Sequence, residues 1–383
     1  MQQTEMKEVM WGHLVRAPGG YQAFVPYGLP PKIQWSQELV SALSEADRAL
    51  GRLEGVAETL ANLPLPVGPF LRREAVSSSR IEGIQASVSD LFFLEAAPRA
   101  KPCPPDVQEV ANYVRALEYG LRRQAELPVS LRLIREIHEQ LLFRVGGEHG
   151  KPGEFRRIQN WIGRPGCTLS DATFVPPPPP QMMEALDKFE EYLHAPSDLP
   201  VLVRLAAIHC QFEAIHPFVD GNGRVGRLLI TLLLCVEGTV PAPLLCLSAY
   251  FERNRQAYYQ HLLEVSTEGR WHPWLMFFLA GVTEQATDAV ERAHRLLRLR
   301  EQFLARGQAA RASALVDKLV DGLFNCPVTT VASAKKLLRV TDASAQGNIN
   351  KLVGAGILTE VTGRKRNRVY VAEAILKVIE AST

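Results

Sequence analysis

The densest run of chemically capable side chains is His216-Pro217-Phe218-Val219-Asp220-Gly221-Asn222-Gly223-Arg224-Val225-Gly226-Arg227. His216 is the one group in it that titrates near neutral pH without perturbation, which suits a general base. Asp220 is a hard oxygen ligand of the kind that holds Mg²⁺ shared with phosphates. The apolar helix preceding the run is expected to stop at Ile215, because a residue before proline is biased away from the helical region. Gly221, Asn222 and Gly223 then form a tight loop that feeds into an apolar helix over 224–236. Successive backbone N–H groups before a helix N-terminus make an anion site. Arg224 and Arg227 are three residues apart, on one face of the first turn. Two cations at the helix end that already favours anions make sense when an anion is held between them. The run therefore offers a base, a metal ligand, a phosphate nest and two phosphate clamps.

Three other readings of these residues compete. Gly221-x-Gly223-x-x-Gly226 has the spacing of a dinucleotide fingerprint, but that fingerprint needs a preceding strand, and the preceding segment is helical. His216 and Asp220 stand at i, i+4 like a transition-metal pair, yet Pro217 and the glycines make this a loop and no third ligand stands out. A plain interhelical turn leaves two arginines beside an Asp and a His unexplained.

The elements that must position this run come from a chain of 383 residues, 46% hydrophobic and 22% charged. That length implies two or three packed units, and the composition excludes long disorder and collagen-like repeats. The richest apolar stretch, Leu228 to Val236, is broken by Thr231 and ends at Glu237, far short of the ~18 apolar residues of a membrane span. Met1 to Glu5 have neither a basic start nor an apolar core, so no leader and no membrane are expected, and the cytoplasm is the default location. The six cysteines are scattered without a C-x-x-C pair and are expected to be reduced and structural. Net charge is only +2, but Ala309 to Thr383 carry eleven basic against six acidic residues while the rest is slightly acidic. A basic C-terminal module on an acidic body suggests two jobs.

Residues 1–35 read as an extended arm. Apolar periodicity predicts helices at 36–60, from about Phe70 through Gly83, at 106–125, 130–143, 181–194, 199–214, 224–236, 251–265 and 271–281, then a linker helix at about 283–306. Gly- and Pro-rich segments near 64–69 and 97–105 separate the early helices. Residues 155–162 and 168–175 read as a strand pair. Pro176 to Pro180 form a stiff connector or a surface that guides a peptide. Helices at 311–323, 329–337 and 343–353, followed by strands at 357–361 and 368–372 around a turn with Arg364, Lys365, Arg366 and Arg368, resemble a winged helix-turn-helix.

The run at 216–227 resembles the signature of the Fic family, H-P-F-x-[D/E]-G-N-G-R-x-x-R, at every specified position. The segment Gly153 to Pro180 resembles that family's substrate-aligning flap, and residues 244–278, with Asn254, Tyr258 and Tyr259, resemble the helices after the motif. Ser78-x-x-x-Glu82-Gly83 resembles its inhibitory motif. The resemblance implies a mainly α fold: a Fic-type helical core with a β-hairpin flap, followed by the winged helix-turn-helix. It divides the chain into an N-terminal arm and inhibitory-helix region (1–105), a catalytic core (106–282), a linker helix (283–310) and the winged module (311–383). It implies a self-inhibited protein adenylyltransferase that moves AMP from ATP, with Mg²⁺, onto Ser, Thr or Tyr hydroxyls of target proteins and of itself. In that scheme His216 is the base and Asp220 the metal ligand. Gly221, Asn222, Gly223, Arg224, Val225, Gly226 and Arg227 surround the phosphates, with Arg227 on the γ-phosphate. Ile162, Gly163, Tyr258 and Tyr259 neighbour the nucleotide or the target backbone. Glu82, braced by Ser78, pairs with Arg227 and holds ATP in an unproductive pose. The same constellation also fits removal of AMP, or transfer of UMP, GMP or a phosphocholine-type group. The basic module fits a nucleotide-sensing transcription regulator that binds DNA. A homodimer is compatible with regulation through 72–83.

Overall fold

The structure, a computed structural model, describes residues 11–17, 19–61, 67–98, 102–145, 151–164, 166–309 and 314–381. The start of the arm and parts of the 64–69 and 97–105 loops lie outside the described residues. In chain order the elements are β1 (Gly12–Arg16), β2 (Gln22–Pro26), α1 (Gln37–Ala61), α2 (Gly68–Ile81), α3 (Val88–Ala96), α4 (Pro105–Arg123) and α5 (Leu131–Leu141). There follow α6 (Pro179–His194), α7 (Val201–Ile215), α8 (Asn222–Val236), α9 (Leu247–Arg253), α10 (Arg255–Glu268) and α11 (Trp271–Ala309). The chain closes with α12 (Ala314–Asn325), β3 (Val328–Thr330), α13 (Val331–Leu338), α14 (Asp342–Gly354), β4 (Thr359–Glu360), β5 (Val369–Val371) and α15 (Glu373–Glu380). Among the described residues no helix is long and apolar enough to cross a membrane.

The fold is mainly helical and has two compact units. The first comprises the described residues of Met1–Asp47, Arg115–Gly238 and Tyr250–Thr283. Its centre is α7, whose residues from Leu202 to Ile215 are nearly all buried. α6, α8, α10 and β2 pack around α7, and α5 packs on α8. The arm is a β1–β2 hairpin in register from Gly12–Pro26 to Arg16–Gln22, docked by the Phe24 N–H donating to Val175 O (2.9 Å).

The second unit comprises Arg48–Val114, Thr239–Ala249 and the described residues of Glu284–Thr383. Here α2 packs on α3, α12 and α15. Its buried Glu74 accepts from Ser248 N–H (3.1 Å) and from the Ser248 and Tyr113 hydroxyls. Arg73 of α2 pairs with buried Asp288, which also holds Arg292 (2.7 Å each), and Arg292 donates to the carbonyls of Val378 and Ala381 (2.6 Å each). A carboxylate between two guanidiniums, one of which also donates to carbonyls, is the kind of arrangement that makes buried charge tolerable.

Several expectations need correction. The strand pair at 155–162 and 168–175 shrinks to one antiparallel bridge, Ile162 with Phe174, and a 3-10 turn at Leu169–Asp171. The backbone groups that would make its ladder serve other segments: Arg156 N–H donates to Pro217 O, and Val175 O accepts from the arm. The proline connector ends early, because α6 starts at Pro179, where a missing N–H costs a helix nothing. The helix expected at 251–265 breaks at Asn254, and those at 271–281 and 283–306 are one helix of 39 residues. α3, with a Ser87–Asp90 capping box, α15 and β3 were not visible in the periodicity.

Candidate active site

α7 does not fade into a loop at His216. It is capped there by a left-handed residue, with His216 at φ 50, ψ 60. The bias expected before proline was toward extended backbone, so this conformation has to be imposed. A left-handed non-glycine residue costs roughly 1–2 kcal/mol. Buried Arg156 supplies the restraint: its Nε donates to His216 O (2.9 Å), its Nη1 to Ile158 O (3.2 Å) and its Nη2 to Pro177 O (2.6 Å). Asn160 Nδ2 donates to Phe218 O (2.9 Å). One guanidinium thus ties together the end of α7, the flap and the proline segment. Burial lowers its pKa to about 10, so it stays charged at neutral pH.

The fixed backbone orients the imidazole. His216 Nδ1 lies 3.3 Å from Glu213 O. A carbonyl only accepts, so Nδ1 carries the proton and Nε2 is the basic nitrogen. His216 itself is half-buried.

The loop after it is stapled from within. The Asn222 carboxamide accepts from Phe218 N–H and donates to Phe218 O, both at 2.8 Å. Its side chain, expected among the groups around the phosphates, is thus a tie within the loop, and its backbone N–H lies at the start of α8. Gly221 caps α8 at φ 79, which favours glycine. The first N–H groups of α8, from Asn222, Gly223 and Arg224, have no intrahelical partner by helix geometry. Arg224 and Arg227 follow, 3% and 1% exposed. Val225 is fully buried, and a Cβ on Gly226 would strike the Glu213 carboxylate and the Phe212 ring. These two residues, expected around the phosphates, let α7 and α8 pack closely.

His138, on α5, sets the loop from below. Gly153 N–H donates to its Nδ1 (2.9 Å), which fixes the proton on Nε2, and Nε2 donates to Asp220 O (3.0 Å). Its ring stacks on Phe218 at 3.7 Å. Burial pushes its pKa down to about 4, so it is neutral. Arg227 also meets a neutral partner. Tyr258 OH bonds both Arg227 and His209 Nε2, the latter at 2.8 Å. Burial raises the Tyr258 phenol well above its ordinary value, and burial with the Arg227 charge lowers His209 to about 3. Tyr258, expected as a neighbour of the nucleotide or the target backbone, is thus a core residue bonded to Arg227. Tyr259 is 41% exposed, with the Arg255 guanidinium over its ring. At the flap, Ile162 N–H donates to Phe174 O (2.8 Å), and a side chain at Gly163 would meet Cys167 Sγ.

In the second unit Ser78 is buried within α2, and Glu82 is its exposed C-cap. Arg156, His138, Asn160 and His209 are the functional residues that sequence reasoning missed. Their partners are mostly backbone groups distant in sequence, which leave no motif.

Asp220 is exposed. Its Oδ1 accepts from Gly221 N–H (2.6 Å) and lies 3.6 Å from Arg224 Nη2. Among the described residues no group of three or more His, Cys, Asp or Glu could hold a metal ion by itself. One accessible carboxylate beside a phosphate nest fits Mg²⁺, which keeps several waters and binds through one or two carboxylates plus substrate phosphates.

Comparison with known proteins agrees with this geometry. Residues 40–122 match the profile described as Fic/DOC family N-terminal, and residues 128–234 match that of the Fic/DOC family. Curated relatives include the protein adenylyltransferase Fic of Drosophila virilis, 33% identical over 165 residues (43% of this chain, 30% of that one). The Drosophila willistoni protein of the same name is 32% identical over the same length. The chain thus spans about a third of the length of the curated relatives it matches. Among solved structures, a Fic family protein from Desulfovibrio desulfuricans G20 superposes with a TM-score of 0.59 at 19% identity, over 90% of this chain and 98% of that one. A Fic domain containing signaling protein from Bacteroides thetaiotaomicron gives 0.50 at 19% identity, over 64% and 97%. Two adjoining stretches of this chain, residues 40–122 and 128–234, thus carry Fic/DOC family domains, and the second contains the 216–227 loop.

Proposed function

We propose that the chain is a protein adenylyltransferase that moves AMP from ATP onto Ser, Thr or Tyr hydroxyls of target proteins. The observation that carries this reading is the pairing of two features in one rigid loop. His216 is held with Nε2 as its basic nitrogen, and six residues on begins a helix whose first two turns carry two buried arginines. His216 Nε2 takes the proton of the target hydroxyl. The hydroxyl oxygen bonds to the α-phosphorus, the bond from that phosphorus to the bridging oxygen of the β-phosphate breaks, and pyrophosphate leaves. The N–H groups at the start of α8, with Arg224 and Arg227, hold the phosphates and offset charge on the leaving group. Mg²⁺ held by Asp220 would supply further neutralisation of that charge.

The drosophilid relatives bear the name protein adenylyltransferase, which supports the reading at family level. Self-inhibition through Glu82, with modification of the chain itself, is the finer part of the proposal and rests on the Ser78-x-x-x-Glu82-Gly83 match. Incubation with Mg²⁺ and ATP labelled at either the α- or the γ-phosphorus tests the reaction. Label on protein from α-labelled ATP only, with release of pyrophosphate, is the expected outcome. Label from γ-labelled ATP only would mean phosphoryl transfer and would refute it.

A further inference from the structure

We propose that residues 331–371 form a winged helix-turn-helix that binds double-stranded DNA, with α14 as the groove-entering helix and the 361–368 turn as the wing. All of these residues lie in the second unit. α13 and α14 pack on each other and are joined by only three residues, Arg339 to Thr341. That is the length of a helix-turn-helix connection. α12 packs on both, and behind them lies an antiparallel sheet of order β3-β5-β4. The β4–β5 hairpin projects the eight-residue turn.

The chemistry of the surface selects the ligand. From Val331 to Arg368 there are eight basic residues against two acidic ones. All eight, Lys335, Lys336, Arg339, Lys351, Arg364, Lys365, Arg366 and Arg368, are exposed. Of the two acids, Glu360 is turned into the wing, accepting from the N–H groups of Thr362 and Gly363 and from the Thr362 hydroxyl. Those bonds hold its carboxyl below the ordinary value. Asp342 is paired with Lys335 at 2.9 Å. Arg368 Nε donates to Arg364 O (2.7 Å) and folds the turn into one shape.

The helix and the wing form one surface. Gln346 on α14 donates to Tyr370 OH on β5 (3.1 Å), and Tyr370 is two residues from Arg368 at the wing base. Gln346 also donates to the Asn350 carboxamide oxygen (2.8 Å), so α14 presents an oriented pair of amides. Asn and Gln amides read adenine edges in the major groove, whereas the arginines and lysines contact phosphate. Gly347, between them, is exposed and has nothing within 4 Å of where a Cβ would stand. No internal packing requires a glycine there, and its small profile lets a groove wall approach the helix.

The test is anisotropy of a labelled mixed-sequence 30-bp duplex titrated with the full chain at several salt concentrations. A single strand of equal length is the comparison. The expected result is duplex binding that weakens steeply with salt, at least tenfold tighter than single-strand binding. Arg364→Ala/Lys365→Ala/Arg366→Ala, which leaves the turn-forming Arg368 in place, should weaken duplex binding at least tenfold. It should also reduce the log–log salt slope by about 2–3, since each phosphate contact contributes about 0.9. Lys351→Glu on α14 should weaken binding with no change in melting temperature, which guards against a misfolded wing variant. No duplex binding at 50 mM salt would overturn the proposal. So would equal affinity for the single strand, the signature of a generic polyanion surface, or unchanged affinity in both variants.

Discussion

Two regions of this molecule gather positive charge in opposite ways. At the start of α8, Arg224 and Arg227 are almost completely buried, and the neutral Tyr258 hydroxyl, itself bonded to His209, meets Arg227. In the wing, Arg364, Lys365 and Arg366 are exposed. Burying a guanidinium carries a desolvation cost that only a fixed set of partners offsets. In return its charge acts at one point, at low dielectric and with little screening. Exposed cations cost little to maintain, but they act diffusely and salt weakens them. The first arrangement suits a phosphorus at which bonds change. The second suits a long polyanion.

The contrast can be broken first at Arg227. Arg227→Lys should lower α-label transfer by roughly 10²–10³-fold, because a lysine cannot reproduce the planar fork held by Tyr258. Initial rates should show this loss to be nearly independent of salt up to 0.3 M. Next in size is Arg156→Ala, which strips the carbonyls of His216, Ile158 and Pro177 of their shared donor. A destabilisation of about 3 kcal/mol is expected by denaturant titration, since each buried group left unpaired costs ~1–3 kcal/mol. The triple wing variant should leave α-label transfer unchanged within about twofold while changing duplex binding. A parallel fall in both would mean that the two regions are not chemically separate.

The smallest effect concerns pH. His138 and His209 have folded pKa values pushed down to about 4 and about 3. The unfolded chain therefore binds more protons below the ordinary value of 6.5, and stability is full above 6.5 and falls as pH drops toward 4. Each histidine should contribute a loss of about 1 kcal/mol between pH 6.5 and 5.5. Melting curves of His138→Asn against wild type should show a shallower pH dependence in the variant.

Much of this site was legible in the sequence because its motif is local. From His216 to Arg227, the residue types, the proline and the glycines all fall within twelve consecutive residues, and side-chain chemistry can be read there without knowing the fold. The helices were legible for the same reason, since 3.6-residue periodicity is a local signal: α7 and α8 begin and end within two residues of expectation. What was not legible depends on distant partners. Arg156 stands next to Arg157 in a basic pair with nothing to distinguish them, yet the first is buried and the second exposed. Only the location of the carbonyls of His216 and Pro177 decides which. Tyr258 and Tyr259 pose the same problem. Adjacent helical residues point about 100° apart, so one enters the core and the other meets solvent, and sequence does not say which. The flap misled because alternation in 155–162 suggests a strand, whereas the backbone partners there are a loop carbonyl and the N-terminal arm.

In the proposed reaction His216, locked into a left-handed cap, is the base that activates the target hydroxyl. The most direct measurement is intact-protein mass after incubation with Mg²⁺ and ATP, for wild type, Glu82→Gly and Glu82→Gly/His216→Ala. A slight AMP adduct is expected on wild type and a strong one on the single variant. On the double variant the adduct should fall at least about 10²-fold, with unchanged melting temperature. An adduct of undiminished size on the folded double variant would contradict the claim.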